Sequence, residues 1–190
     1  MPIVGQFGSL AGFGVFPGGA LESIATITVG SGGAANIEFT SIPGGFQHLQ
    51  VRGIVRSDRA SGNENVRYQL NASTSSNYAY HALRGDGSAS NAEAGSSQAQ
   101  MELDRTIAGA TATASVFGGF VMDILDYSSS SKATTTRTLG GYDSNGSGQV
   151  VLSSGLWTVT DAVTSVKFFP RFGTNFVQHS TLALYGVKAP

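Results

Sequence analysis

The chain has 190 residues, which is enough for one domain, and 41% of them are hydrophobic, which is enough for a core. Only 12% are charged, against roughly 25% in an ordinary globular protein, which predicts a surface partly covered by neighbouring subunits. The formal net charge of −1 gives no electrostatic basis for binding nucleic acid or an anionic membrane. No apolar run approaches the ~20 residues that cross a bilayer, and the absence of Cys excludes disulfides and thiolate metal sites.

Residues 1–20 predict an extended arm that precedes the domain. Six glycines disfavour a helix there and weaken strand pairing. Phe7, Phe13 and Phe16 lie among them, whereas disordered tails are poor in aromatic residues. We therefore expect these three side chains to bind a partner, or alternatively to fold back on the arm's own domain. The arm lacks the charged and continuously apolar segments of a signal peptide. Together with the absence of Cys, this predicts synthesis in a reducing cytoplasm.

From residue 21 onwards, apolar runs with strand alternation are separated by turns rich in Gly, Ser, Asn and Pro. No segment has the apolar period of a helix. Residues 85–99 are rich in Ser, Gly and Ala and predict a long loop. The strands expected from this pattern are 21–29, 34–40, 46–57, 66–71, 78–83, 100–107, 115–127, 134–142, 150–157, 163–172 and 177–187.

These strands predict an all-β domain over residues 21–190, folded as an antiparallel β-sandwich of jelly-roll type with about ten strands. Strong strands near both ends of the chain favour a jelly roll, because its first and last strands lie close together. A simple sandwich is the alternative. In the strand at 46–57, Leu49, Val51 and Gly53 share one face. Gly53 predicts either a bulge or a close approach to the backbone.

The sequence contains no recognisable catalytic or cofactor motif. A P-loop, a dinucleotide fingerprint and a nucleophile elbow are all missing. The three histidines, His48, His81 and His179, do not have the spacing of metal ligands. Glu102 and Asp104 share a strand face at about 7 Å, but chance often produces this spacing of two carboxylates. We therefore predict no enzymatic activity and no cofactor.

One loop has two interpretations that the sequence leaves open. The run Asp143-x-Asn145-x-Ser147-Gly148 copies the start of a calcium-binding loop. Its twelfth position is Ser154 in place of a bidentate Glu, and the same residues suit a tight hairpin. The loop at 143–148 is therefore either a cation site or a turn.

Aromatic residues suggest a second kind of site. Tyr78, Tyr80 and Trp157 lie on predicted strands among Asn, Gln and Ser residues. Flat rings beside polar edges are how β-sandwich lectins hold sugars, so these three predict a glycan platform. The alternative is that they pack in the core or between subunits.

Four segments resemble a group of tailed-bacteriophage virion proteins. Five motifs spread over these segments carry the resemblance. In chain order they are an I-P-x-x-F-x-x-L entry, a Y-x-L-N strand, a D-Y-S-S-S-S-K loop, a G-L-W strand end and a closing L-Y-G-V-K. The segments are SIPGGFQHLQVRGIVRSDRAS at 41–61, NVRYQLNASTSSNYAYHALRGDGS at 65–88, GFVMDILDYSSSSKATTTRTLGG at 119–141 and SGLWTVTDAVTSVKFFPRFGTNFVQHSTLALYGVK at 154–188. Members of this group look like jelly-roll modules of capsid decorations, tail-associated proteins and fibres.

The resemblance implies a non-enzymatic virion structural protein that is made in the cytoplasm of the host bacterium. Since one domain is short for a fibre, it favours a capsid decoration or cement protein that attaches through residues 1–20. The expected partners are other copies of the chain in a homotrimer and the major capsid protein or tail proteins. The alternative is a tail or fibre module that binds host surface glycans. A glycan hydrolase is a third possibility, and it would depend on Glu102 or Asp104.

Overall fold

The computed structural model describes residues 19–189, so Phe7, Phe13 and Phe16 lie outside the described residues. Among these residues, no helix is long and apolar enough to cross a membrane. The described chain forms twelve β-strands. They are β1 (Leu21–Thr28), β2 (Ile37–Phe39), β3 (His48–Val55), β4 (Asn63–Leu70), β5 (Tyr78–Gly85), β6 (Ser90–Gln98), β7 (Met101–Ala108), β8 (Gly118–Leu125), β9 (Thr134–Asp143), β10 (Gly148–Trp157), β11 (Val166–Pro170) and β12 (Thr181–Val187).

The strands form two antiparallel sheets, which confirms the predicted all-β class. The large sheet has eight strands in the order β1-β12-β3-β8-β9-β10-β5-β6. The small sheet has four strands in the order β2-β11-β4-β7. The buried apolar side chains of both sheets form one core between them. This arrangement is consistent with a β-sandwich.

The predicted loop at 85–99 is wrong, because residues 90–98 form β6. This strand pairs with β5 along its length and is an edge of the large sheet. A tight turn joins the two strands, in which the Asp86 carboxylate accepts hydrogen bonds from the backbone N–H groups of Ser88 and Ala89 at 2.9 and 2.8 Å. The sequence did not predict β6, because this strand has no large apolar side chains and therefore shows no apolar alternation.

The predicted facing of β3 is confirmed. Leu49, Val51 and Gly53 point into the core, and Gly53 lies in continuous register with both neighbouring strands. A Cβ atom at Gly53 would lie 2.6 Å from the side chains of both Leu182 and Phe120. The glycine therefore marks a close approach of core side chains to the backbone, and there is no bulge at this position.

A hydrogen bond between side chains joins the two sheets inside the core. The hydroxyl groups of Tyr68 on β4 and Thr136 on β9 lie 2.7 Å apart, and both residues are buried. Burial raises the pKa of the Tyr68 phenol, so it remains a neutral hydrogen-bonding group. The ring of Tyr68 also packs against Phe168 of β11, with ring centres 5.7 Å apart.

We expect the variant Tyr68→Phe to lose about 1–2 kcal/mol of unfolding free energy, because it leaves the Thr136 hydroxyl buried without this partner. Urea denaturation followed by tryptophan fluorescence measures the change. Adding Thr136→Val should cost less in the Tyr68→Phe background than in the wild type. Equal costs in both backgrounds would mean that the two hydroxyls do not stabilise each other.

Candidate interaction surface

The outward side of the large sheet carries an unusual number of aliphatic side chains. Across four adjacent strands, the register places Val121 beside Leu139, Leu139 beside Leu152, and Leu152 beside Leu83. Ile54 and Val150 lie in the next row along the strands. These six side chains are between 40% and 62% exposed. We call them the apolar face; its members are Ile54, Leu83, Val121, Leu139, Val150 and Leu152.

Strand β9 has an inverted pattern, and its hairpin partner β10 carries aliphatic side chains on both sides. In β9, Thr134, Thr136 and Thr138 point inward and are buried, while Leu139 points outward. Antiparallel strands with one solvated face normally place apolar residues inward and polar residues outward. Aliphatic side chains that point outward beside buried threonines are therefore not required by this domain's own core. They indicate a surface that another molecule covers.

Two shallow hollows lie along one row of the apolar face, and the exposed Val150 side chain borders both of them. Gly119, Gly141, Val150 and Gly85 follow one another across β8, β9, β10 and β5, so three positions of this row lack a side chain. Two adjoining hollows of about 500 and 260 Å³ lie along the row, both lined by Leu139 and Val150. We call the two hollows together the glycine groove; of the three glycines in this row, Gly119 lines the larger hollow and Gly85 lines the smaller one.

The fold requires glycine at only one of these three positions. A Cβ atom at Gly141 would lie 2.1 Å from the carbonyl oxygen of Gln149. At Gly119 and Gly85 the nearest atoms to such a Cβ would be 3.7 and 3.9 Å away, which is ordinary van der Waals contact. The depth of the groove at Gly85 and Gly119 therefore does not follow from packing within the described chain.

A polar row borders the apolar face on one side. The Gln50 amide donates to the Asp123 carboxylate at 2.9 Å, and the Arg52 guanidinium donates to the Gln50 side-chain oxygen at 2.9 Å. Arg137 lies opposite Asp123 in the register of β8 and β9. An apolar centre with a polar rim is the usual anatomy of a protein–protein interface.

The predicted glycan platform is corrected by the structure. Tyr78, Tyr80 and Trp157 are at most 8% exposed. The rings of Tyr78 and Trp157 stack with centres 6.3 Å apart, and the Tyr78 hydroxyl contacts the backbone of Leu70 at 3.0 and 3.1 Å. Rings buried in this way offer no open face to a sugar. The alternative of core packing accounts for all three residues.

Glu102 and Asp104, the two carboxylates that share a strand face in the sequence, lie in a buried ion network. Glu102 accepts hydrogen bonds from Arg67 and Arg171, and Asp104 pairs with Arg84. The Asn65 amide donates to both carboxylates. The network joins β4, β7, β5 and Arg171, which directly follows β11, and the guanidinium groups balance its negative charge. This arrangement is that of a structural element between the strands.

Glu93 of β6 completes a three-carboxylate cluster with Glu102 and Asp104, whose oxygens lie within 4.8 Å of one another. In residues 19–189 this is the one group close enough to hold a metal ion, and it contains no histidine. Arg84 contacts Glu93 at 3.2 Å and also contacts Asp104, so a cationic side chain already lies among the oxygens. The cluster therefore carries no argument for a metal.

The loop at 143–148 forms the turn between β9 and β10. One oxygen of the Asp143 carboxylate accepts hydrogen bonds from the backbone N–H groups of Asn145 and Gly146, at 2.8 and 3.4 Å. The backbone N–H of Ser144 donates to the carbonyl of Ser147 at 2.5 Å. These contacts are those of a hairpin turn, and they account for the residues that resemble a calcium loop.

Comparison with protein-family models, with curated proteins and with solved structures finds no match for this chain. The surface features of the large sheet and the motifs of the sequence are therefore what indicate a function.

The ion network predicts that removing a carboxylate charge changes the unfolding free energy in opposite directions at Glu93 and at Glu102. Burial and the nearby charge of Asp104 raise the pKa of Glu93 above its usual value of 4.5. Stability from Glu93 is therefore present below its unfolded pKa and is lost as the pH rises through the folded pKa. We expect Glu93→Gln to be more stable than the wild type at pH 7, with a difference that shrinks below pH 4.5.

Glu102→Gln is the matched control, since it leaves Arg67 and Arg171 without their partner. We expect it to lower the unfolding free energy by roughly 2 kcal/mol, less than for a fully buried pair because both arginines reach solvent. Denaturant titrations at pH 7 and below pH 4.5 measure the unfolding free energy of the two variants and of the wild type. A loss of stability in Glu93→Gln at pH 7 would contradict this account of the cluster.

Proposed function

We propose that the protein is a non-enzymatic structural subunit of a tailed-bacteriophage particle, a capsid decoration or cement protein of jelly-roll type. The apolar face carries the proposal, because a contiguous exposed aliphatic surface on a domain with a complete core favours association. The low charge of the chain and the resemblance of its motifs to virion proteins support the same function. We expect other copies of this chain to cover the apolar face. The expected assembly is a homotrimer.

The strand order supports the jelly-roll part of the proposal. A jelly roll has eight strands in two sheets, in the orders 1-8-3-6 and 2-7-4-5. The small sheet, β2-β11-β4-β7, has the first order when its strands are numbered along the chain without β1, β9, β10 and β12. The large sheet then has the second order, β3-β8-β5-β6, with the β9–β10 hairpin inserted between β8 and β5. This inserted hairpin supplies Leu139, Val150 and Leu152 to the apolar face.

The size of the apolar face favours an assembly with several contacts. Fully burying one aliphatic side chain contributes about 1.5–3 kcal/mol. Six side chains that are about half exposed would therefore contribute roughly 5–10 kcal/mol. Association itself costs about 4–15 kcal/mol before any net affinity appears. One such contact is marginal alone, whereas repeated contacts in a trimer or on a particle add together.

No specific observation favours the glycan-binding alternative. Its predicted residues Tyr78, Tyr80 and Trp157 lie in the core, and the predicted loop at 85–99 is mostly strand. A glycan array that gave a reproducible signal would nevertheless replace the structural proposal for this surface.

The first test is solution mass by multi-angle light scattering over a hundredfold range of concentration. We expect a trimer at all concentrations for the full chain, and a smaller species for Leu139→Asp with Leu152→Asp, because the charges would have to be buried at the contact. Ser130→Asp is the control, because Ser130 is exposed in the turn between β8 and β9, at the opposite end of these strands from Gly119 and Gly141, and it should keep the wild-type mass. A full chain that is monomeric throughout would overturn the proposed self-association.

The second test locates the protein in particles. Antibodies against the purified chain should label the heads of virions from the phage that encodes it, and mass spectrometry should find it in many copies per particle. Intact virions that lack the protein would contradict the virion proposal, whatever its oligomeric state.

A further inference from the structure

The glycine groove lacks an occupant among residues 19–189, and two of its three glycines leave space that the fold does not use. The walls are mainly aliphatic side chains of the apolar face, with Arg52 beside the larger hollow and Arg84 beside the smaller one, and the floor is strand backbone. Such a site suits an extended, uncharged segment with bulky apolar side chains separated by small residues. Bulky side chains would fill the positions where Gly85 and Gly119 have none, and small residues would let the two backbones approach.

Residues 1–18 of this chain have that composition. They contain no Asp, Glu, Lys or Arg, so burying them would not bury a charged side chain. Their glycines alternate with bulky apolar residues along the segment. The bulky apolar residues are Met1, Ile3, Val4, Phe7, Leu10, Phe13, Val15 and Phe16.

We propose that residues 1–18 of one copy bind in the glycine groove of a neighbouring copy. This proposal rests on the proposed function, because it requires copies of the chain to associate. It adds which segment makes the contact. Phe7, Phe13 and Phe16 are the anchoring side chains.

The position of β1 favours a neighbouring copy as the owner of the segment. Leu21 pairs with Val187 and Thr28 pairs with Thr181, so β1 runs toward the end of the sheet where Ile54 and the groove lie. The chain before β1 therefore leaves the sheet at the opposite end. The carbonyl of Ala20 still accepts a hydrogen bond from the backbone N–H of Lys188 at 3.0 Å, which keeps the chain in line with β1 as it leaves.

The lengths are compatible with such an exchange. Eighteen extended residues span up to about 60 Å. The groove crosses from β3 to β5, which is four strand spacings or about 19 Å. The segment can therefore bridge a gap of roughly 40 Å and still cross the whole groove. To reach its own groove it would have to reverse direction and return along the full length of β1.

The test fills the groove without disturbing the fold. In the full chain, Gly85→Val with Gly119→Val places side chains where the nearest atoms to each Cβ are at ordinary contact distance. We expect this variant, and separately the full chain with Phe7, Phe13 and Phe16 all replaced by Ala, to lose the wild-type trimer. Gly30→Val with Gly44→Val is the matched control, since a Cβ at either position meets nothing within 4 Å and both lie off the face. Circular dichroism and thermal unfolding verify that each variant is folded.

A direct binding measurement completes the test. A fluorescent peptide of residues 1–18 is titrated with the full chain that carries the three Phe-to-Ala replacements, which keeps its groove but lacks the anchors. We expect saturable binding, weakened at least tenfold when Gly85→Val and Gly119→Val are added. Equal binding to both proteins, or an unchanged trimer in the three-Phe variant, would overturn the inference.

These outcomes separate the inference from the proposed function. A trimer that survives the three Phe replacements but dissociates with Leu139→Asp and Leu152→Asp would refute the role of residues 1–18 and leave assembly through the apolar face intact. A wild-type chain that is monomeric at every concentration would refute both.

Discussion

The register of the β9–β10 hairpin is the constraint on which the rest of this structure depends. The hairpin lies in the middle of the large sheet, and β8 and β5 pair with its two sides over seven and eight residues. A shift of one residue would reverse every side chain, turning Leu139 inward and Thr136 outward. Pairing with strands whose own apolar faces are fixed by the core, such as Phe120 and Met122 of β8, prevents this shift. The register therefore holds the three threonines of β9 inside, beside Val151 and Trp157 of β10, and leaves Leu139, Val150 and Leu152 outside.

Both consequences of this register are visible. Inside, Thr136 is satisfied by the Tyr68 hydroxyl of the opposite sheet, so a buried polar group becomes a link between the two layers. The ion network around Glu102 and Asp104 similarly joins strands of both sheets through paired charges. Outside, the same register leaves Leu139 and its neighbours exposed on a domain that already has a complete core. The unusual interior and the unusual surface therefore have one cause.

The proposed assembly follows from what such a surface costs in water. A chain with 12% charged residues has little charge with which to keep an aliphatic face soluble, so covering that face is favourable. A particle subunit meets this condition through permanent neighbours, whereas a free enzyme or a free lectin would not. The glycine groove adds two hollows to this surface, and the proposed binding of residues 1–18 would fill them.

The sequence by itself determined the all-β class and the inward faces of the strongest strands, because alternation in segments such as 48–55 has one solution when one face must be buried. It did not reveal β6, whose small polar residues become a strand only by pairing with β5. It also placed Tyr78, Tyr80 and Trp157 on strands but could not say which side faced the core, and all three proved to be buried. The apolar face was decided by tertiary structure alone. Residues from five strands that are distant in the chain become neighbours only when the sheet register is set, and no local pattern of Leu139 or Leu152 distinguishes outward from inward.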